Sequence, residues 1–184
     1  MTDFSIHTHQ TAPQGSKPIL EGVQKAYGFV PNLMGTLAES PAAVEGYAAL
    51  SGIFGNSDLT PTEQEVILMT NNRLNNCGYC MAAHTTVARM KRLPDDVIES
   101  LRNGLPIADA KLETLRLFAA KVNRQRGVID PADVDAFLAA GYTRANILEV
   151  ILGTALKVMS NYSSHVADTP IDGAFQSNIW SEAA

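Results

Sequence analysis

Apolar side chains recur along this chain mostly three or four positions apart, which is the spacing of a helix face. One such stripe consists of Leu112, Leu115, Phe118, Ala119 and Val122. No segment shows the sustained alternation of apolar and polar residues that is typical of strands. The pattern therefore predicts an all-α protein. The predicted helices cover residues 18–27, 41–54, 61–74, 78–91, 95–102, 111–126, 131–139 and 144–160.

Capping residues and prolines mark several of these predicted helix ends. The segment TPTE, residues 60–63, combines a capping box with proline at the first helical position, where its missing N–H has no intrahelical partner anyway. This segment predicts a helix start at residue 61. Gly127 predicts the end of one helix, and the Asp-Pro pair at 130–131 predicts the start of the next.

The two ends of the chain lack the helical pattern. The first residues are polar, so we predict a flexible arm over residues 1–16 and one helical domain over residues 17–184. The tail from residue 169 contains the single tryptophan, Trp180, and we expect it to lie against a surface of the domain. A chain of 184 residues with 46% hydrophobic types is sufficient for one core.

Composition disfavours two classes of partner. The formal charge is -5 at pH 7 and the basic residues are scattered, which disfavours binding to a nucleic-acid backbone. The start shows no secretion signal, and apolar runs such as residues 66–69 fall far short of the roughly 20 residues of a membrane-spanning helix. We therefore expect a cytoplasmic protein without nucleic-acid or membrane partners. Because thiols stay reduced there, a close cysteine pair is expected to be catalytic or metal-binding.

The segment CGYCMAAH, residues 77–84, contains both cysteines and one of the four histidines of the chain. Asn76 is the predicted N-cap, which places Cys77 at the first helical position, where the helix dipole favours an anionic sulfur. Cys80 and His84 are four residues apart, so the imidazole can approach the Cys80 thiol. Cys77 lies one turn earlier and can close a disulfide with Cys80. The residues alone leave open which sulfur is the nucleophile.

Glu65 is the acidic candidate for the same site. Glu63 belongs to the predicted capping box, whereas Glu65 shares a helix face with apolar residues such as Leu68. A carboxylate on an apolar face is costly without a partner, and His84 is a partner nearby in the sequence. If they meet, Glu65 can orient His84 and accept the proton that Cys80 releases.

Other interpretations of these residues remain open. Each cysteine taken singly is compatible with a small buried apolar residue. A structural zinc site would use the two cysteines and the histidine of CGYCMAAH, with Glu65 or His165 as the fourth ligand, although the chain has no second CxxC motif. His165 is otherwise expected just past the last long helix as a hydrogen-bonded end residue. His7 and His9 lie in the polar arm, and we expect both to be solvated.

The full spacing Glu65-x11-Cys77-x2-Cys80-x3-His84 resembles the signature of the alkylhydroperoxidase D (AhpD)-like proteins, within the carboxymuconolactone decarboxylase superfamily. The surrounding segment EQEVILMTNNRLNNCGYCMAAHTTVARM resembles that family throughout. The upstream segment GFVPNLMGTLAESPAAVEGYAAL resembles the lead-in of its peroxidase-related members. The resemblance covers most of residues 28–90 and, more loosely, the helical remainder.

The resemblance implies an AhpD-like helical bundle that assembles into homotrimers or hexamers, and a thiol peroxidase activity without cofactor or metal. Cys80 would attack hydrogen peroxide or an organic hydroperoxide and become a sulfenic acid. Cys77 would resolve it as an intramolecular disulfide, and Glu65 and His84 would form the proton relay. A dithiol donor, such as a lipoylated or thioredoxin-like protein, would reduce the disulfide. We choose Cys80 as the nucleophile because His84 and Glu65 converge on it.

One position departs from the AhpD pattern. The residue before the second cysteine is often a histidine of the proton relay in AhpD, whereas here it is Tyr79. A phenol stays neutral near pH 7 and is a poorer proton shuttle than imidazole. Tyr79 is therefore either a participant beside the thiols or a ring packed at a subunit boundary.

Two other functions are compatible with the sequence. One is a decarboxylase or isomerase that acts on a lactone or keto acid, as in relatives of the superfamily that do not rely on a cysteine pair. The other is a non-catalytic redox sensor, which would form the disulfide without turning over peroxide.

Overall fold

The computed structural model describes residues 4–181, so the outermost parts of the predicted arm and domain, residues 1–3 and 182–184, lie outside the described residues. Within this range the chain forms nine α-helices, one short 3-10 helix and no strand, which confirms the all-α prediction. The α-helices are α1 Lys17–Tyr27, α2 Asn32–Leu37, α3 Pro41–Gly55, α4 Pro61–Leu74, α5 Gly78–Met90, α6 Asp95–Asn103, α7 Ala110–Gln125, α8 Pro131–Ala139 and α9 Arg144–Val166. The 3-10 helix is Gly173–Asn178. None of the helices in this range has the length and apolar content needed to cross a membrane.

Every predicted helix is present, but the structure differs from the prediction in two places. The last helix continues to Val166 instead of ending near residue 160, so His165 lies within the helix and not past it. The polar residues that suggested an end, such as Asn161, are buried against α4. Helix α2 was not predicted. Its first N–H groups have no local cap, and the carboxylate of Asp172, far along the chain, accepts a hydrogen bond from the Asn32 N–H at 3.0 Å.

The predicted helix ends around α4 and α7 follow from local hydrogen bonds. The Thr60 hydroxyl accepts a hydrogen bond from the Glu63 N–H at 3.2 Å, and the Glu63 carboxylate accepts one from the Thr60 N–H at 2.9 Å. This is the predicted capping box. At the end of α7, Arg126 and Gly127 both adopt left-handed backbone conformations, and the Gly127 N–H bonds the carbonyl of Val122.

Helix α4 is the centre of the fold, because α5, α7 and α9 pack around it. Its residues 63–72 are all buried, including both glutamates. Helix α9 approaches α4 closely at Gly153, where an added Cβ would lie 2.8 Å from Ile67 Cγ2 and 2.8 Å from Phe54 Cε2. The glycine thus brings the polar end of α9 against α4 and α5, where the candidate site lies.

The C-terminal tail packs on the helices, as predicted. Trp180 is buried, and its indole N–H donates a hydrogen bond to the carbonyl of Arg102 at 2.9 Å. The guanidinium of Arg73 lies 5.8 Å from the centroid of the same ring. Phe175 packs edge-on against Tyr79, so the tail also covers the start of α5.

The division into a flexible arm and a helical domain stays a prediction, although several contacts of the arm are defined. The His7 N–H donates a hydrogen bond to the carbonyl of Gly35, and His7 Nε2 lies 2.8 Å from a Glu39 carboxylate oxygen. The His7 side chain is 13% exposed. The expectation that His7 is solvated is therefore wrong, because Glu39 and α2 enclose it.

Candidate functional site

The candidate site lies where the start of α5 meets the middle of α4 and the second half of α9. Cys77 is the N-cap of α5, and its sulfur accepts a hydrogen bond from the Cys80 N–H at 3.4 Å. The prediction that Asn76 is the N-cap and Cys77 the first helical residue is therefore wrong by one position. Asn76 instead has φ of 51°, a left-handed conformation that asparagine tolerates and that reverses the chain between α4 and α5.

The two cysteines lie close together as free, buried thiols, 1% and 2% exposed. The hydrogen bond that the Cys77 thiol donates to Cys80, together with burial, raises the pKa of Cys77. Burial alone would raise the pKa of Cys80 as well, but the bond from Cys77 and the positive charge of Lys157 lower it below its ordinary value. The pair therefore favours a Cys80 thiolate beside a neutral Cys77 thiol.

Glu65 and His84 meet as the sequence predicted. His84 Nδ1 lies 2.8 Å from Oε2 of Glu65, and Lys91 Nζ lies 3.0 Å from the other carboxylate oxygen. Burial of Glu65, which is 1% exposed, would raise its pKa, but the charges and hydrogen bonds of His84 and Lys91 lower it. An ionised carboxylate only accepts hydrogen bonds, so the proton of this contact resides on His84 Nδ1.

Lys157 on α9 completes the cluster, and sequence reasoning missed it. Its side chain is 1% exposed, and Nζ lies 3.0 Å from His84 Nε2. Burial alone would lower the pKa of Lys157, but the negative charge of Cys80, followed by Tyr47 and Cys77, raises it. A signal existed in the sequence, because a lysine within the apolar run of α9 needs a partner for the same reason as Glu65.

A chain of asparagine amides fixes the backbone of Cys80. Asn75 donates a hydrogen bond to Asn161 at 2.8 Å, Asn161 donates one to Asn72 at 3.0 Å, and Asn72 donates one to the Cys80 carbonyl at 3.2 Å. The polar end of α9 therefore positions the backbone of Cys80.

Tyr79 is held by bonds that lead away from the proton relay. Its phenol donates a hydrogen bond to Asp172 at 2.7 Å and accepts one from the Leu33 N–H at 3.1 Å. Burial raises the pKa of Tyr79; the bond from the Leu33 N–H opposes this rise, and the negative charge of Asp172 adds to it. A direct role beside the thiols stays a prediction, but these bonds favour a role in joining α5 to α2 and the tail.

Replacing Tyr79 by phenylalanine is expected to destabilise the protein by about 1–3 kcal/mol, because the buried Leu33 N–H loses its acceptor. The rate at which the reduced thiols are oxidised should change little. Chemical denaturation and thiol titration measure the two effects. Tyr27→Phe is the matched control, since this tyrosine is exposed and its replacement should have no effect on either. A loss of thiol oxidation without loss of stability would instead place the phenol in the relay.

The geometry around His84 disfavours the zinc interpretation. Glu65 binds one ring nitrogen and Lys157 the other, which leaves neither for a metal ion. Within residues 4–181, no group of three or more His, Cys, Asp and Glu side chains is placed to hold a metal. His165, the proposed alternative ligand, is exposed in the last turn of α9.

The all-helical fold, with a buried cysteine pair at the start of a helix, is similar to that of AhpD-like proteins. Residues 38–122 match the model of the Carboxymuconolactone decarboxylase family, and this range contains Glu65, Cys77, Cys80 and His84 but not Lys157. In this range the chain is similar to that family, and its fold is similar to that of AhpD-like proteins. No curated protein matches the chain.

Several solved structures share the fold over nearly their whole length. The alkylhydroperoxidase AhpD core of an uncharacterized peroxidase-related protein from Ralstonia eutropha JMP134 has a TM-score of 0.83 and 24% identity, covering 95% of this chain and 96% of that one. A peroxidase-related protein from Silicibacter sp. TM1040 has a TM-score of 0.80 and 23% identity, covering 94% and 92%. The debrominase Bmp8, in complex with 2,3,4-tribromopyrrole, has a TM-score of 0.79 and 17% identity, covering 97% and 96%.

Proposed function

We propose that this protein is a thiol-dependent peroxidase that reduces hydrogen peroxide or organic hydroperoxides through a dithiol–disulfide cycle. The observation that supports this proposal is the pairing of a favoured Cys80 thiolate with a neutral Cys77 thiol in one buried turn. The thiolate is the nucleophilic form of cysteine, and a second thiol within reach is what a resolving step needs. The peroxidase-related proteins with the same fold are consistent with this activity.

The first step oxidises Cys80. Its thiolate attacks the terminal oxygen of the hydroperoxide, the S–O bond forms, and the O–O bond breaks. The electron pair leaves with the alkoxide or hydroxide, which takes a proton from the relay of Glu65 and His84 and departs as an alcohol or water. Cys80 is then a sulfenic acid.

The second step forms the disulfide. Cys77 gives up its proton and attacks the Cys80 sulfur, the S–S bond forms, and the hydroxide leaves as water after protonation. A dithiol donor, which we propose to be a lipoylated or thioredoxin-like protein, returns two electrons and two protons by thiol–disulfide exchange. The cysteines are thereby restored for another cycle.

We also propose that the protein is a homo-oligomer, a trimer or a hexamer. An exposed apolar stripe along α9 supports this proposal, because large apolar surfaces of this kind mark association sites. Its residues are Leu148, Ile151, Ala155, Val158, Tyr162 and Val166.

A thiol count combined with a turnover assay tests the proposed peroxidase. The reduced protein is treated with hydrogen peroxide or an alkyl hydroperoxide, its free thiols are counted under denaturing conditions, and peroxide is followed with dihydrolipoamide present. We expect the loss of both thiols and continuous consumption of peroxide. The double variant Cys77→Ser, Cys80→Ser is the control and should consume none above background.

The same assay separates the alternatives. A disulfide that forms without continued turnover would support the redox sensor. Thiols that stay reduced, with no consumption, would contradict the peroxidase and direct attention to lactone or keto-acid substrates.

A further inference from the structure

The buried lysine of α9 needs a physical explanation. An ammonium group removed from water loses several kcal/mol of solvation unless neighbouring groups compensate it, and a buried lysine otherwise tends to lose its proton. Lys157 is 1% exposed, and its Nζ contacts the His84 ring at 3.0 Å. The titratable groups that face Lys157 come from three helices: Tyr47 on α3, Glu65 on α4, and Cys77, Cys80 and His84 at the start of α5.

The hydrogen bonds define where the protons of this cluster reside. The Glu65 carboxylate only accepts, so His84 Nδ1 is the donor in their 2.8 Å contact. A charged Lys157 only donates, so His84 Nε2 is the acceptor in the other contact. If the proton moves from Lys157 to Nε2, the total charge of the His84–Lys157 pair stays the same. The pair therefore stores one transferable proton and one positive charge.

The placement of this charge follows from the geometry of α9. Lys157 and Asn161 are one turn apart, so they share the helix face that meets α4 and α5. Asn161 reaches the Cys80 carbonyl through Asn72. Lys157 reaches His84, which lies four residues after Cys80 on α5. One face of α9 therefore reaches the Cys80 turn at two successive positions.

We propose that Lys157 is the positioning residue that keeps Cys80 a thiolate and retains, in its bond with His84, the proton that the departing oxygen takes. Only the statement about the proton of the departing oxygen rests on the proposed peroxidase function. Lys157 lies outside residues 38–122, so the family match does not extend to it.

The proposal closes the proton balance of the cycle. In the reduced state Cys77 is a thiol, Cys80 is a thiolate, and the His84–Lys157 pair holds one proton. The pair gives that proton to the alkoxide when the O–O bond breaks. It then accepts the Cys77 proton as Cys77 attacks the Cys80 sulfur, and passes it to the departing hydroxide. Two protons and two electrons have left the site, and the dithiol donor returns both.

Two substitutions separate charge from hydrogen bonding at this position. Lys157→Met has a similar length but removes both, whereas Lys157→Gln keeps an N–H donor for His84 and removes the charge. In a Cys77→Ser background, the ultraviolet absorbance of the Cys80 thiolate is titrated against pH. We expect the midpoint to rise by at least about one pH unit in both variants, which corresponds to a tenfold change in the equilibrium. The rate of Cys80 oxidation by peroxide near pH 7 should fall as well, because the departing oxygen then lacks the proton that the His84–Lys157 pair holds.

A control substitution and two contrary results complete this experiment. Lys121→Met removes a half-exposed lysine that pairs with Asp133, and it should leave the midpoint unchanged. An unchanged midpoint in folded Lys157→Met and Lys157→Gln overturns the proposal, even if the wild type is a peroxidase. A raised midpoint together with a wild type that consumes no peroxide would leave the charge role intact and reject the proposed function instead.

A measurement on the wild type keeps the proposal testable if both variants fail to fold. Nitrogen-15 NMR of His84 in the reduced protein reports which ring nitrogen is protonated. We expect a proton on Nδ1 and a hydrogen-bonded Nε2. A ring protonated on Nε2 alone would overturn the proposal, because Lys157 could then not be the donor.

Discussion

Replacing Cys80 by serine is expected to reduce peroxide consumption to the background rate, whereas Cys77→Ser should complete the first oxidation and then stop. A serine hydroxyl is not ionised at neutral pH and cannot replace a nucleophilic thiolate. The pKa of Cys80 is lowered and that of Cys77 is raised, so Cys80 is the cysteine expected to react first. In Cys77→Ser, one equivalent of peroxide should disappear and a sulfenic acid should remain on Cys80. Stopped-flow peroxide assays and mass spectrometry of the trapped adduct measure both results.

The location of the adduct decides between the two sulfurs. Because both cysteines are buried, the sulfenic-acid reagent is added together with denaturant. Wild-type protein is the control and should show a disulfide in place of an adduct. If the adduct instead forms on Cys77 in the Cys80→Ser variant and is absent from Cys77→Ser, the assigned roles are reversed.

Replacing Glu65 by glutamine is expected to destabilise the protein by about 3–5 kcal/mol near pH 7, because a buried ion pair loses one partner. The neutral amide leaves the buried Lys157 ammonium with one counter-charge fewer, and His84 and the half-exposed Lys91 lose their charged hydrogen-bond acceptor. Urea denaturation of both proteins measures the difference in the free energy of unfolding.

The effect of Glu65 on stability should depend on pH in a defined direction. The pKa of Glu65 in the folded protein lies below its ordinary value of 4.5. Its contribution is therefore complete above pH 4.5 and is lost as the pH falls through the folded value. The gap between wild type and Glu65→Gln should narrow in that acidic window.

A surface glutamate provides the control for this experiment. Glu99 forms an exposed pair with Arg89, and Glu99→Gln should change the free energy of unfolding by less than about 1 kcal/mol. A gap between wild type and Glu65→Gln that stays constant as the pH falls would show that the loss comes from packing and not from the charge of Glu65.

The helices were predictable from the sequence because each one buries a periodic apolar face, and the capping box at residues 60–63 fixes the start of α4 locally. Helix α2 was not predictable in this way. Its six residues are too few for a clear period, and the partners of its first two N–H groups, the Asp172 carboxylate and the Tyr79 phenol, lie far along the chain.

In the candidate site too, contacts between residues close in sequence were predictable and contacts between distant residues were not. Glu65 and His84 could be paired because each needs a partner and both lie near the cysteines. Lys157 follows His84 by 73 residues, so no local spacing links them and only the packing of α9 on α4 brings them together. Asn76 was assigned as the N-cap because asparagine favours both N-caps and left-handed turns, and the sequence does not distinguish these two conformations.

The burial of the two cysteine sulfurs restricts which molecules can reach them. At 1% and 2% exposure, neither sulfur can touch the surface of another folded protein in this conformation. A peroxide molecule is small enough to diffuse to a buried site. A protein reductant must either carry its dithiol on a narrow flexible group or wait until the start of α5 separates from the tail. The hydrogen bond between Tyr79 and Asp172 holds the start of α5 against the tail. In the proposed cycle, separation of the tail from α5 would therefore limit the rate at which a protein donor reduces the disulfide.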